Sequence, residues 1–228
     1  GGHDAMSAAS AFETLVTEHI NNFDTGVYDP YSSKAEYGKF QDLLLDEMEP
    51  ALAQSLESIK WIEDATMKID KAYATMVSTD IDFTGASITA PADVTAMIQS
   101  PSFSVPDPND PSKELSSIKG WVTTEGNNAN ATGAQNYEFY VGKGDADIHQ
   151  VLYALPKGYY RLVYNGFYRA GGAVEAAVAH RDSTDARNAK VYVEAGDGKW
   201  SKELASIFDH VNEYKYDGGD FALADSLF

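Results

Sequence analysis

The stretch LPKGYYRLVYNGFYRAGG, residues 155 to 172, decides how the second half of the chain is read. It sets four tyrosines, one phenylalanine and two arginines between a Pro-Lys-Gly turn and a Gly-Gly break. Pro156-Lys157-Gly158 fits a type II turn, because proline fixes φ at the second position and glycine supplies positive φ at the third. Strand alternation then puts Tyr160, Leu162 and Tyr164 on one face, and Tyr159, Arg161 and Val163 on the other. Gly166 allows a bulge that turns Phe167 inward. The pattern predicts a core strand built on Tyr160, Leu162, Tyr164 and Phe167. Tyr168 and Arg169, at its far end, are left to meet a ligand.

Similar short runs lie on either side: NYEFYV (136 to 141), HQVLYAL (149 to 155) and AKVYVEA (189 to 195). Loops rich in Gly, Asn, Asp and Pro separate them, and this spacing predicts an antiparallel sandwich. PDPNDPSKE (106 to 114) and EGNNANATG (125 to 133) read as exposed loops on composition.

The first third has a different period. Ala8, Phe12, Leu15, Val16, His19 and Ile20 recur at spacings of three and four, the stripe of an amphipathic helix. The run DTGVYDPYSS (24 to 33) ends it. Ser33 and Glu36 are spaced as a capping box, and one helical face then runs from Leu45 through Met48, Leu52, Ile62, Ile69 and Met76 to about Val77. Pro50 removes a backbone donor and predicts a kink in that run. After Ser78 the helical period disappears, which places a boundary between residues 80 and 92. The expected fold class is α+β with two domains: a helical segment over 1–80, open to further helices, and an antiparallel β-sandwich over 90–228.

Seventeen Lys and Arg against 35 Asp and Glu give a net charge of −18. Such a chain repels phosphate backbones and anionic lipid surfaces, so nucleic acid is excluded as a natural partner. No run reaches the roughly 18 to 20 apolar residues of a membrane span. The chain has no cysteine, which removes disulfides, thiolate metal sites and cysteine nucleophiles. Catalytic signatures are weak: His180-Arg181-Asp182 has no phosphate loop to accompany it, and the five histidines show no paired zinc spacing.

Taken in order, ADVTAMIQSPSF (92 to 103), Gly120-Trp121, NYEFY (136 to 140) and HQVLYALPKGYYRLVYNGFYRAGG (149 to 172) form a series. It resembles the galactose-binding-like β-sandwich domains, of jelly-roll type, found behind helical segments in secreted and surface proteins of gut Bacteroidetes. SPSF stands where the family has Asn-Pro, and Phe228 precedes the strands that close the family's sandwich. The resemblance implies a sandwich completed by further chain or by self-association. It also implies a non-catalytic carbohydrate-binding role in polysaccharide utilisation, at the cell surface or secreted after removal of a signal sequence. No cofactor is required, although related sandwiches hold structural calcium, for which Asp145 and Asp147 offer hard oxygen ligands.

Sugars are held by stacking an aromatic ring on their C–H face while charged and amide groups bond the hydroxyls. Trp200 in GDGKW, Tyr168, Arg169, the amides Asn128 and Asn130, and Trp121 are the candidates of that chemistry. Trp121 also reads as a strand anchor. Two other readings stand beside the glycan one: a structural or adhesive surface module that binds protein, and an accessory fragment of a glycoside hydrolase.

Overall fold

A computed structural model describes residues 2–54, 58–123, 129–132, 136–139, 147–166, 168, 173–187, 189–206 and 208–209. For residues 2–4, 129–132, 136–139 and 173–174 it describes the backbone alone. The fold is mixed α+β, in two compact units, Gly1–Lys157 and Gly158–Phe228.

In the first unit, helix α1 (Gly2–Asp24) packs with α2 (Ala35–Asp42) and α4 (Ile59–Ser78) through the stripes expected from the sequence. Phe12, Val16 and Phe23 come from α1, and Ile62, Ala65, Ile69 and Met76 from α4. Phe40, Leu44, Met48 and Tyr28 complete one buried cluster. Its aromatic members meet mostly edge to face: Phe23 lies 4.9 Å from Tyr28 and 5.5 Å from Phe40.

Two expectations about this region are corrected. The helical run carries on through Pro50 and is divided after Leu52 instead. A π-helical turn, Leu43–Met48, joins α2 to the short α3 (Glu49–Leu52), and the backbone stays helical through Glu49. A widened turn is one way to accommodate a residue with no N–H to give. The run ends at Ala53, and α4 starts afresh behind Ser58, whose Oγ accepts a hydrogen bond from the Trp61 N–H at 3.2 Å. The predicted single face is thus divided between helices that cover one another. The capping box at Ser33 is also absent. Lys34 occupies the N-cap in extended conformation, after a tight turn at Asp29–Tyr31 has already redirected the chain. Its Nζ donates to the Thr79 carbonyl at the C-terminal end of α4, where the helix dipole favours a cation.

Beyond Ser78 the first unit continues in turns and paired strands. β1 (Ser104–Asp107) pairs with β2 (Asp110–Ser116), so PDPNDPSKE forms a hairpin rather than a plain loop. Pro106 and Pro111 are tolerated there because a two-stranded ribbon has free edges. β3 (Val122–Thr123) pairs with β6 (Ile148–His149), and β4 (Ala129–Thr132) with β5 (Asn136–Phe139), all antiparallel. The Gln150 side chain ties these segments together, its amide donating to the Gln99 carbonyl at 2.6 Å and accepting from the Gln99 N–H at 3.0 Å.

Gly120 has φ +81, and a Cβ there would lie 2.4 Å from the Cβ of Gln99. Gly120→Ala is therefore expected to cost roughly 1–3 kcal/mol, from left-handed strain and the displaced Gln99 together. A urea titration of the variant against the parent measures it.

The second unit contains α5 (Ala173–Arg181), which the strand reading passes over, and the antiparallel hairpin of β7 (Lys190–Ala195) and β8 (Gly198–Glu203). Among the described residues each sheet is a two-stranded pair. Residues 159–166 have no strand assignment. Among the described residues no sheet covers them, and Tyr160, Leu162 and Tyr164 are 50, 46 and 37% exposed, which corrects their expected place in a core. Phe167 lies outside the described residues. Among the described residues no helix is long and apolar enough to cross a membrane.

Candidate functional site

The β7–β8 hairpin presents the clearest candidate side chain. Its two-residue turn starts at Gly196, with φ +58 as a type II′ turn requires at that position. Register pairs Val193 with Trp200 and Val191 with Lys202, so Trp200 and Lys202 share a face. On the other face Lys199 forms an ion pair with Glu194, and its Nζ sits 5.0 Å from the Tyr192 ring centre. Trp200 is 60% exposed and yet positioned: a Cβ on Gly198 would lie 2.3 Å from the indole edge. The ring therefore rests over bare glycine backbone, with its outer face open.

Next to the hairpin, a groove is lined by Arg161, Tyr164, Arg187, Lys202, Leu204 and Asp209, among others. Arg187 is held by a bidentate pair with Asp209, Nη1 to Oδ2 at 2.8 Å and Nη2 to Oδ1 at 2.7 Å. Asp209 Oδ2 also accepts the Ser206 N–H at 3.0 Å, which fixes the acid to the backbone. Behind this pair His180 Nδ1 and Asp185 Oδ2 are buried 3.7 Å apart, and neither has a hydrogen-bond partner among the described residues.

The residues expected from sequence fall in both units. Tyr168 is half-buried in the second unit, its N–H donating to the Ala205 carbonyl at 2.8 Å and its backbone forming an isolated parallel bridge with Ser206. Arg169, Asn128 and Asp145 lie outside the described residues. Asn130 is on β4 opposite Glu138, known by its backbone only. In the first unit Trp121 is half-buried, its indole N–H donating to the Ser100 carbonyl at 3.2 Å and its ring 5.1 Å from Phe103. Asp147 contacts His149 Nδ1 at 2.6 Å. Among the described residues no three His, Asp or Glu side chains gather as a metal-binding set.

Sequence reasoning missed the groove. Its signal lay in how charge is divided: residues 1–157 carry nine Lys and Arg against 24 acids, whereas residues 158–228 carry eight against 11. The net charges are −15 and −3, so the cations are relatively concentrated where the groove forms.

No family model, curated protein or solved structure matches the chain.

Proposed function

We propose that the protein is a non-catalytic carbohydrate-binding accessory of glycan utilisation, secreted or displayed at the cell surface. The observation that carries this reading is Trp200, an indole set over Gly198 with its outer face exposed and with Lys202 on the same side of the hairpin. A flat ring held in place offers stacking to a sugar at little entropic cost, and flanking polar side chains supply hydrogen bonds to hydroxyls. The galactose-binding-like sandwich over 90–228, behind a helical domain over 1–80, belongs to the same proposal and is supported by the motif series of the sequence. Calcium on Asp145 and Asp147 is an adjunct that the reading does not need.

Glycan-array screening of the purified chain tests it. Saturable binding to at least one glycan is expected, weakened tenfold or more in Trp200→Ala. No binding across a broad array overturns the reading. The adhesive-module reading draws on the exposure of Tyr159, at 99%, and Val163, at 76%, since exposed apolar side chains in a row favour protein partners.

A further inference from the structure

We infer that the groove of the second unit is a subsite for an acidic sugar, one uronic residue within an otherwise neutral glycan. This rests on the carbohydrate-binding reading and narrows the class of ligand. Nine described Lys and Arg side chains hold a carboxylate: Lys34, Lys39, Lys60, Lys68, Lys113 and Lys119 in the first unit, and Arg181, Arg187 and Lys199 in the second. Acids outnumber cations two to one in the chain, so paired cations are the ordinary state. Lys71, Lys157, Arg161, Lys190 and Lys202 hold no carboxylate among the described residues, and of these Arg161 and Lys202 line the groove and are exposed.

The other groove charges sharpen the assignment. Arg187 is neutralised by Asp209 and locked in place, so it shapes the wall. Glu203 also lines the groove, and Asp185 lies 3.7 Å from Arg187, so the cations that face it without a carboxylate are Arg161 and Lys202. Two unpaired cations in one groove of a chain of −18 have a specific meaning. Screening at physiological ionic strength confines the attraction of exposed charges to about 8 Å. The groove therefore attracts one nearby carboxylate, while the acidic chain as a whole repels a polyanion such as nucleic acid.

A uronic acid matches the two kinds of group present. Its carboxylate takes the paired N–H donors of Arg161 and the ammonium of Lys202, and its C–H face lies on Tyr164, a residue 37% exposed. The opening between them is kept by Gly166, where a Cβ would already be 3.3 Å from the Leu204 side chain.

The test is calorimetric titration of the full chain with matched disaccharides, glucuronate- or galacturonate-terminated against their neutral glucose and galactose counterparts. Binding of an acidic member at least tenfold tighter than its neutral partner is expected. That preference is expected to fall about tenfold in Arg161→Gln and in Lys202→Gln, and to shrink as salt is raised. Both substitutions are at exposed side chains, and circular dichroism confirms that the variants fold. Equal or better binding of the neutral sugars overturns this inference and leaves the carbohydrate reading standing, and binding of neither class overturns both. Acidic preference undiminished in both variants removes the site from this groove.

Discussion

Replacing Phe40 by alanine is expected to lower the unfolding free energy by about 3–5 kcal/mol, the range for a fully buried phenylalanine. Its ring is inaccessible to solvent and lies 5.1 Å from His19, 5.5 Å from Phe23, and 6.2 Å from both Tyr28 and Tyr73. Those partners come from α1, the following turn and α4, so the ring is where three segments of the first unit meet. The loss exceeds simple transfer of a benzyl group because rigid aromatic neighbours collapse poorly into the space left. Urea unfolding followed by helical circular dichroism measures it. Phe40→Leu, which keeps most of the volume, is expected to lose less than half as much. A loss below 1 kcal/mol in Phe40→Ala contradicts the packing described.

Acid is expected to destabilise the same unit through His19. The Asn22 amide donates to the Tyr28 oxygen at 3.0 Å, and Tyr28 lies 2.6 Å from His19 Nδ1. With the imidazole neutral, a donor chain runs from Asn22 through Tyr28 to His19. Burial pushes the imidazole from the usual 6.5 down to about 4; neighbouring Glu18 opposes this and Lys119 adds to it. The remaining close neighbours, Phe40 and Tyr73, bring no compensating charge. Folded His19 thus takes a proton only below about pH 4, whereas the unfolded chain takes it below about 6.5. The unfolded chain binds more protons throughout that window, so stability contributed above pH 6.5 is lost as pH falls through it. The total is about 3 kcal/mol by linkage.

Asp70 opposes this loss. Burial lifts its carboxyl to about 6, so the folded chain binds more protons between about pH 6 and 3.8, and stability rises there on acidification. In the parent protein the two effects partly cancel. Asp70→Asn is expected to be more stable than the parent above pH 6 and to lose stability more steeply below it. His19→Gln is expected to lose the acid-dependent fall. Urea midpoints from pH 4 to 8 separate the three proteins, and an unchanged acid limb in His19→Gln rules out His19 as its source.

The helices were readable because burial of one face at a 3.6-residue period leaves its mark on residue type: Phe12, Val16, Ile62, Ile69 and Met76 are all buried. Their punctuation was harder to read. Pro50 and Ser33 carry strong local signals, yet a π-helical turn absorbed the first and a backbone turn pre-empted the second. Ser58, less conspicuous in sequence, is the residue that caps a helix. In the second half, AKVYVEA is a strand as its alternation predicts, because its partner follows two residues later. Residues 159–166 alternate equally well and have no strand assignment. Alternation states only that a segment suits a sheet; which distant segment pairs with it is a long-range fact that one sequence leaves unwritten. Of the site, Trp200 stood out by type. Arg161 and Lys202 did not, since unpaired cations are identified by what surrounds them in space.

The glutamine clamp between Gln99 and Gln150 has a consequence for the order of folding. It joins positions 51 residues apart with two hydrogen bonds. Closing a flexible loop of that length costs about 3.5 kcal/mol from its length dependence alone, whereas two neutral hydrogen bonds return about 2 kcal/mol net. The clamp cannot hold an otherwise unformed chain together. The glutamine therefore locks the strand pairs only where other contacts have already drawn the intervening chain in. It acts as a latch on chain that is already ordered around it.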